Sequence, residues 1–148
     1  MESTIVEDEV TEITVGSGFF SPALFDYYDN FHHLPAAGFA IQIIRKPHEG
    51  MFTALGGGYV ASGGMSLDKR PKPYLPEGIV LNNDEGTGEV QTPFVYKGND
   101  ALKIGDPIFF RHSKAGELCE RFDKVYLIKN GKLLETTPTY RGLGWTFL

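Results

Sequence analysis

The sequence predicts a mostly β protein: an antiparallel β-barrel or sandwich with one helix near its N-terminus. Three observations carry this prediction. Runs rich in β-branched and aromatic residues recur along the 148 residues, and 18 glycines with 9 prolines favour many turns over long helices. The clearest local signal is Asp123 to Lys129 (DKVYLIK), then Asn130-Gly131, then KLLETT. An Asn-Gly pair between two strand-like runs marks a type I′ hairpin, because both central residues need positive φ. Ser21-Pro22 opens the helix, with Ser as N-cap and Pro at the first helical position.

Taken in order, the first dozen residues hold five acids and read as a solvated arm or a first edge strand. Glu12 to Phe20 (EITVGSGFF) reads as a short strand entering a glycine turn. Gly16-Ser17-Gly18 is either a plain tight turn or a cradle that holds an anion on backbone N–H groups. Leu24, Tyr27, Tyr28 and Phe31 fall at helical spacing and form a core or interface stripe. His32-His33 follows at the helix end, where a cation favours exposed carbonyls.

From Gly38 the pattern is β. GFAIQIIRK is a strand, Pro47 to Gly50 a turn, and MFTALGGGYVASG a second strand. Gly56-Gly57-Gly58 inside it marks a bulge or a close backbone approach. Tyr59, just beyond, is a candidate catalytic side chain projecting into a cleft, or else a buried aromatic at a barrel corner. Gly63 to Gly78 reads as a long loop, since Pro71, Pro73 and Pro76 oppose regular strands. Glu85 to Tyr96 is a strand that Pro93 places at an edge. Gly105-Asp106-Pro107 turns into the strand IFFRH, and KAGELCERF carries a short helical turn. The total is seven or eight strands, with no internal repeat.

Composition bounds the function. The chain is long enough for one domain with a genuine core. A net charge of −5 without a clustered basic face argues against a nucleic-acid partner. One cysteine, Cys119, excludes an internal disulfide and fits a reducing compartment. No apolar run approaches the roughly 18 residues of a membrane span, and the acidic N-terminal stretch is unlike a signal peptide. The expectation is a soluble cytoplasmic domain.

The residue best placed for chemistry is His112, at the end of IFFRH, with Glu117, Cys119 and Glu120 close behind. Imidazole, thiolate and carboxylate are zinc donors, but this is not a standard ligand spacing. The alternative is a satisfied histidine beside a buried thiol. Asp123, Arg111, Lys114, Arg121 and Arg141 read as surface ion pairs of little energetic weight. No GxSxG elbow, Walker loop or paired Cys-x-x-Cys is present.

GSGFFSPALFDYY, PAAGFAIQIIRKP, GGGYVASG, EGTGEVQTP, FRHSKAGELCERFD and TYRGLGWTFL together resemble, in order, the C-terminal part of D-serine dehydratase/D-threonine aldolase-type enzymes. These are PLP-dependent amino-acid deaminases and aldolases of the alanine racemase-like group, fold type III. The resemblance runs from about Val10 to Leu148. It implies a β-domain that covers the active site of an N-terminal (β/α)₈ barrel carrying PLP. The family's cofactor lysine lies on the first barrel strand, and nothing here matches that segment.

The resemblance thus divides the chain into residues 1–20, an acidic arm with a remnant of the last barrel strand, and residues 21–148, one β-domain. Gly16, Ser17 and Gly18 match the glycine turn that holds the cofactor phosphate. His112 matches the histidine that binds a divalent metal, such as zinc, in metal-dependent members. The position two later is Lys114, a poor ligand, so this branch holds no metal or Glu117 or Cys119 replaces the missing ligand. The implied substrate is a small D-amino acid. The implied partner is a second copy, most simply in a dimer, or a separately encoded barrel; alone, the domain is expected not to be catalytic. A stand-alone oligomeric binding module, or a small metal protein centred on His112, are the other readings.

Overall fold

The computed structural model describes residues 6–64 and 66–144. Among them lie strands β1 (Phe39–His48), β2 (Met51–Leu55), β3 (Lys72–Leu75), β4 (Ile79–Leu81), β5 (Gln91–Tyr96), β6 (Pro107–Arg111), β7 (Lys124–Lys129) and β8 (Lys132–Pro138). A single α-helix, α1 (Ala115–Arg121), joins them. Six strands form one antiparallel sheet in the order β3-β6-β1-β2-β5-β4. Its edges, β3 and β4, are consecutive in sequence and approach one another, so the sheet is barrel-like and nearly closed. The mostly β class is therefore borne out.

Alternation builds the core. Along β1 the side chains of Phe39, Ile41 and Ile43 are buried while Ala40 and Gln42 face out, the period-2 pattern of a strand with one wet face. Phe52, Ala54, Phe94, Tyr96, Ile108 and Phe110 complete the interior from β2, β5 and β6, and Leu118 of α1 packs onto it. Phe39 stacks on Phe110 at 5.5 Å between ring centroids, and Phe52 on Phe94 at the same spacing. Hydrophobic burial on this scale is what repays the ordering of the chain.

The predicted hairpin forms as read. β7 and β8 pair across Asn130 (φ 51°) and Gly131 (φ 72°), both left-handed. It stands as its own two-stranded sheet. The triple glycine is a close approach: a side chain on Gly58 would meet the Gly88 carbonyl carbon at 2.6 Å.

Four sequence expectations change. The helix after Ser21-Pro22 is instead two 3-10 turns, Ser17–Phe20 and Ala23–Tyr27, with Ser21 itself left-handed (φ 46°) between them. Its side chain caps no helix and meets His33 Nδ1 at 3.3 Å. The short strand expected at the start of Glu12 to Phe20 does not form, and no strand among the described residues offers it a ladder. The loop from Gly63 to Gly78 contains strand β3, whose Pro73 is tolerated because β3 lies at a sheet edge. Pro93, expected at an edge, lies in an interior strand. β4 ends at Leu81, opposite Phe94, so the missing N–H of Pro93 falls just past the end of that neighbour.

Candidate functional site

Three consecutive polar side chains are buried where β6 leaves the sheet: Arg111 at 7% exposure, His112 at 3% and Ser113 at 1%. Burying polar groups costs free energy unless partners are supplied. The N-terminal turns supply most of them. Ala23 N–H donates to the His112 carbonyl (2.9 Å) and Leu24 N–H to that of Ser113 (3.4 Å). Arg111 donates to both carboxylate oxygens of Asp26 and to the Ser21 carbonyl, and Lys72 Nζ reaches the same carboxylate at 2.9 Å. Burial alone would raise the Asp26 carboxyl, but its hydrogen bonds to Arg111 and Lys72, with their charges, hold it below the usual carboxylate range. Ser113 Oγ donates to the Asp68 carbonyl at 2.6 Å.

His112 is the exception. Neither ring nitrogen has a hydrogen-bond partner among the described residues. The Phe20 ring meets it edge-on at 6.3 Å, and the Ala37 backbone lies near enough to favour the charged form without reaching hydrogen-bond geometry. Burial dominates and pushes its pKa down to about 4, with the neighbouring Arg111 charge adding to the effect. His112 is therefore a neutral imidazole near pH 7, with an uncommitted lone pair.

The other candidate residues are not gathered round it. Cys119, 1% exposed, carries a thiol whose pKa burial raises, which makes it a reluctant thiolate. Glu117 is engaged by Arg121 one helical turn on. No cluster of three or more His, Cys, Asp or Glu side chains able to hold a metal occurs among the described residues. Tyr59 lies both in an aromatic cluster and at a groove. It packs edge-on against Phe39 (4.8 Å) and Phe122 (5.4 Å), and it also lines an open groove with Gly56 and Glu89. Gly16 and Gly18 sit in the first 3-10 turn, where their carbonyls accept from Phe19 and Ser21. The leading amides of such a turn, at Ser17 and Gly18, have no partner within it.

Sequence reasoning missed Asp26 and Thr139. Asp26 is the sole charge between Ser17 and Tyr28, which is the signal that marks it. Thr139 is buried and shares its hydroxyl between the carbonyls of Cys119 (3.0 Å) and Phe122 (2.8 Å), tying the end of β8 to α1. Arg111 was read as a surface cation; its burial against Asp26 corrects that. Trp145, the end of the TYRGLGWTFL motif, lies outside the described residues.

No protein-family model matches the sequence, and no curated protein matches it. Among solved structures the chain is similar to D-threonine aldolase from Filomicrobium marinum, with a TM-score of 0.58 at 15% identity. The match covers 75% of this chain and 29% of that one. At this identity it establishes a common fold. No helix among the described residues is long and apolar enough to cross a membrane.

Proposed function

We propose that this chain is the β-domain of a PLP-dependent D-amino-acid dehydratase or aldolase, acting as the cover of a (β/α)₈ barrel that these residues do not include. The observation that carries the reading is the fold match to the aldolase over three-quarters of this chain. The ordered sequence resemblance supports it. PLP would supply an electron sink for β-elimination of water from a D-3-hydroxy amino acid, or for its retro-aldol cleavage.

The residues present fit one part of that cofactor's needs. Ser17 and Gly18 offer leading amides without a backbone partner among the described residues for its phosphate, and nothing among them lies within 4 Å of where a side chain on Gly16 would project. His112, neutral and with both ring nitrogens unpartnered among the described residues, is assigned a hydrogen bond to the substrate hydroxyl. Tyr59 is assigned to the rim of the covered site. By itself, this chain is not catalytic in this reading.

A barrel, or a second copy in a dimer, has surfaces to meet. Tyr126, Ile128, Leu133 and Leu134 of the hairpin are each at least 60% exposed, and Tyr27 and Tyr28 are exposed on the N-terminal turns. A stand-alone oligomeric module would use the same surfaces.

The test is to mix the 148-residue chain with PLP, record the visible spectrum, reduce with borohydride and map any adduct by mass. The expected result is no stoichiometric lysine adduct and no turnover of D-serine or D-threonine. A single site-specific adduct accompanied by turnover would show that this chain builds a complete site, and would sink the proposal.

A further inference from the structure

A second polar concavity, which His112 does not line, lies beneath the turn that links β4 to β5. It is a cavity of about 160 Å³ whose polar wall is Asp68, Arg70, Lys72, Asn82 and Asn83, with Leu67 and Leu81 among its apolar lining. Its charge is out of keeping with a chain of net −5. Arg70 is half-buried and has no carboxylate partner among the described residues. One of its terminal nitrogens donates to the Asn83 carbonyl at 3.2 Å. That leaves the rest of a five-donor fork uncommitted. Lys72 shares the single carboxylate of Asp26 with Arg111, so those three side chains carry one surplus positive charge.

The acid that lines the cavity, Asp68, is already bound by Lys69 and Ser66. Asp84 and Glu85, in the same turn, are exposed and are not part of the lining. Asn82 uses its side-chain oxygen on the Asp84 N–H, which leaves its NH₂ as a donor. The wall is therefore rich in donors and short of acceptors, the composition that recognises planar or tetrahedral oxyanions.

We propose that this cavity is a binding site for a small oxyanion, a carboxylate or a phosphate, with Arg70 and Lys72 as its charged contacts. The volume admits such a group with a few waters, water occupying about 30 Å³ each in the liquid. The packing of Arg70 supports a built site. Gly86 lies directly against the guanidinium, so close that a side chain there would meet Arg70 Nη1 at 2.6 Å. The hydrogen bond to the Asn83 carbonyl ties one end of the fork before any ligand arrives, and preorganisation of this kind lowers the entropic cost of binding. The proposal is independent of the cofactor reading above.

The test titrates the ¹⁵N-labelled 148-residue chain with inorganic phosphate and, separately, with acetate, at constant ionic strength. The expected result is saturable 1:1 binding, with a Kd of about 1 mM, and amide shifts centred on Arg70, Asn82 and Gly86. Arg70→Gln and Lys72→Gln should each weaken binding about tenfold, while Lys103→Gln, outside the cavity, should not. Phosphate-only or acetate-only saturation identifies which anion the site takes. Non-saturating drift that sodium chloride reproduces, or binding unchanged in a folded Lys72→Gln variant, would overturn the proposal even if Arg70→Gln failed to fold.

Discussion

Arg111 grips Asp26 with both terminal guanidinium nitrogens, at 2.8 and 2.9 Å, across 85 positions of sequence. This fork fastens the N-terminal turns onto the end of β6, and so sets what lies over His112. Removing one partner of a buried pair leaves the other uncompensated, which costs far more than the pair contributes. Asp26→Ala should lower stability by about 3 kcal/mol, read as a shifted urea midpoint. Lys72→Met, which removes only the exposed member, should cost under about 1 kcal/mol. Equal losses in the two variants would contradict the fork's dominance.

His112 makes stability depend on pH. Its folded pKa, about 4, lies below the ordinary 6.5, so the unfolded chain binds the proton more readily. Its contribution is complete above pH 6.5, declines as pH falls toward 4, and is then fully lost. At about 1.4 kcal/mol per pKa unit the whole loss is on the order of 3 kcal/mol. Asp26, whose pKa is lowered, adds its own loss only below its ordinary value of 3.8. Urea midpoints at pH 7 and pH 4.5 should differ markedly in the natural chain and much less in His112→Gln. A slope unchanged by that substitution would assign the dependence elsewhere.

The hairpin should respond locally. Gly131→Ala places a Cβ at φ 72°, where L-residues are strained, although no atom lies within 4 Å to clash. Among the described residues, β7 and β8 pair only with each other. Amide exchange along Lys124–Lys129 should therefore accelerate about fivefold, while exchange at Ile43 and Phe110 stays unchanged. Acceleration in the six-stranded sheet would mean the two sheets open together.

Gly58→Ala should act on packing rather than on conformational preference. The new methyl would press on the Gly88–Glu89 backbone, 2.6 to 2.7 Å away, and backbone cannot rotate aside as a side chain can. The expected cost is about 2 kcal/mol, measured by thermal melting. Gly64→Ala, where nothing lies within 4 Å, should be nearly neutral by the same assay.

Local chemistry was legible in the sequence; long-range pairing was not. Asn130-Gly131 specified its hairpin because both left-handed residues sit side by side, and the apolar run GFAIQIIRK marked β1 as a strand without knowledge of any partner. β3 escaped because Pro73, with Pro71 and Pro76 flanking it, argues against a strand unless the edge position is known, and only the fold supplies that. The helical spacing of Leu24, Tyr27, Tyr28 and Phe31 misled for a related reason. Asp26 is drawn to Arg111 and Ser21 faces His33, and these distant contacts override a weak local preference. At the site, His112 was visible as a strand-end histidine. Its isolation from Glu117 and Cys119 was not, because burial and the Glu117–Arg121 pair arise only on folding.

The strand order has a consequence for how the protein is made. β6 lies between β1 and β3, so nothing joins those two until Pro107–Arg111 has been synthesised. A chain emerging from the ribosome at about 5–20 residues per second holds β1 with one ladder edge open for several seconds. During that interval Phe39 and Ile41 lack Ile108 and Phe110 as neighbours. The length of this vulnerable window is set by the sixth strand, whatever the stability of the finished domain.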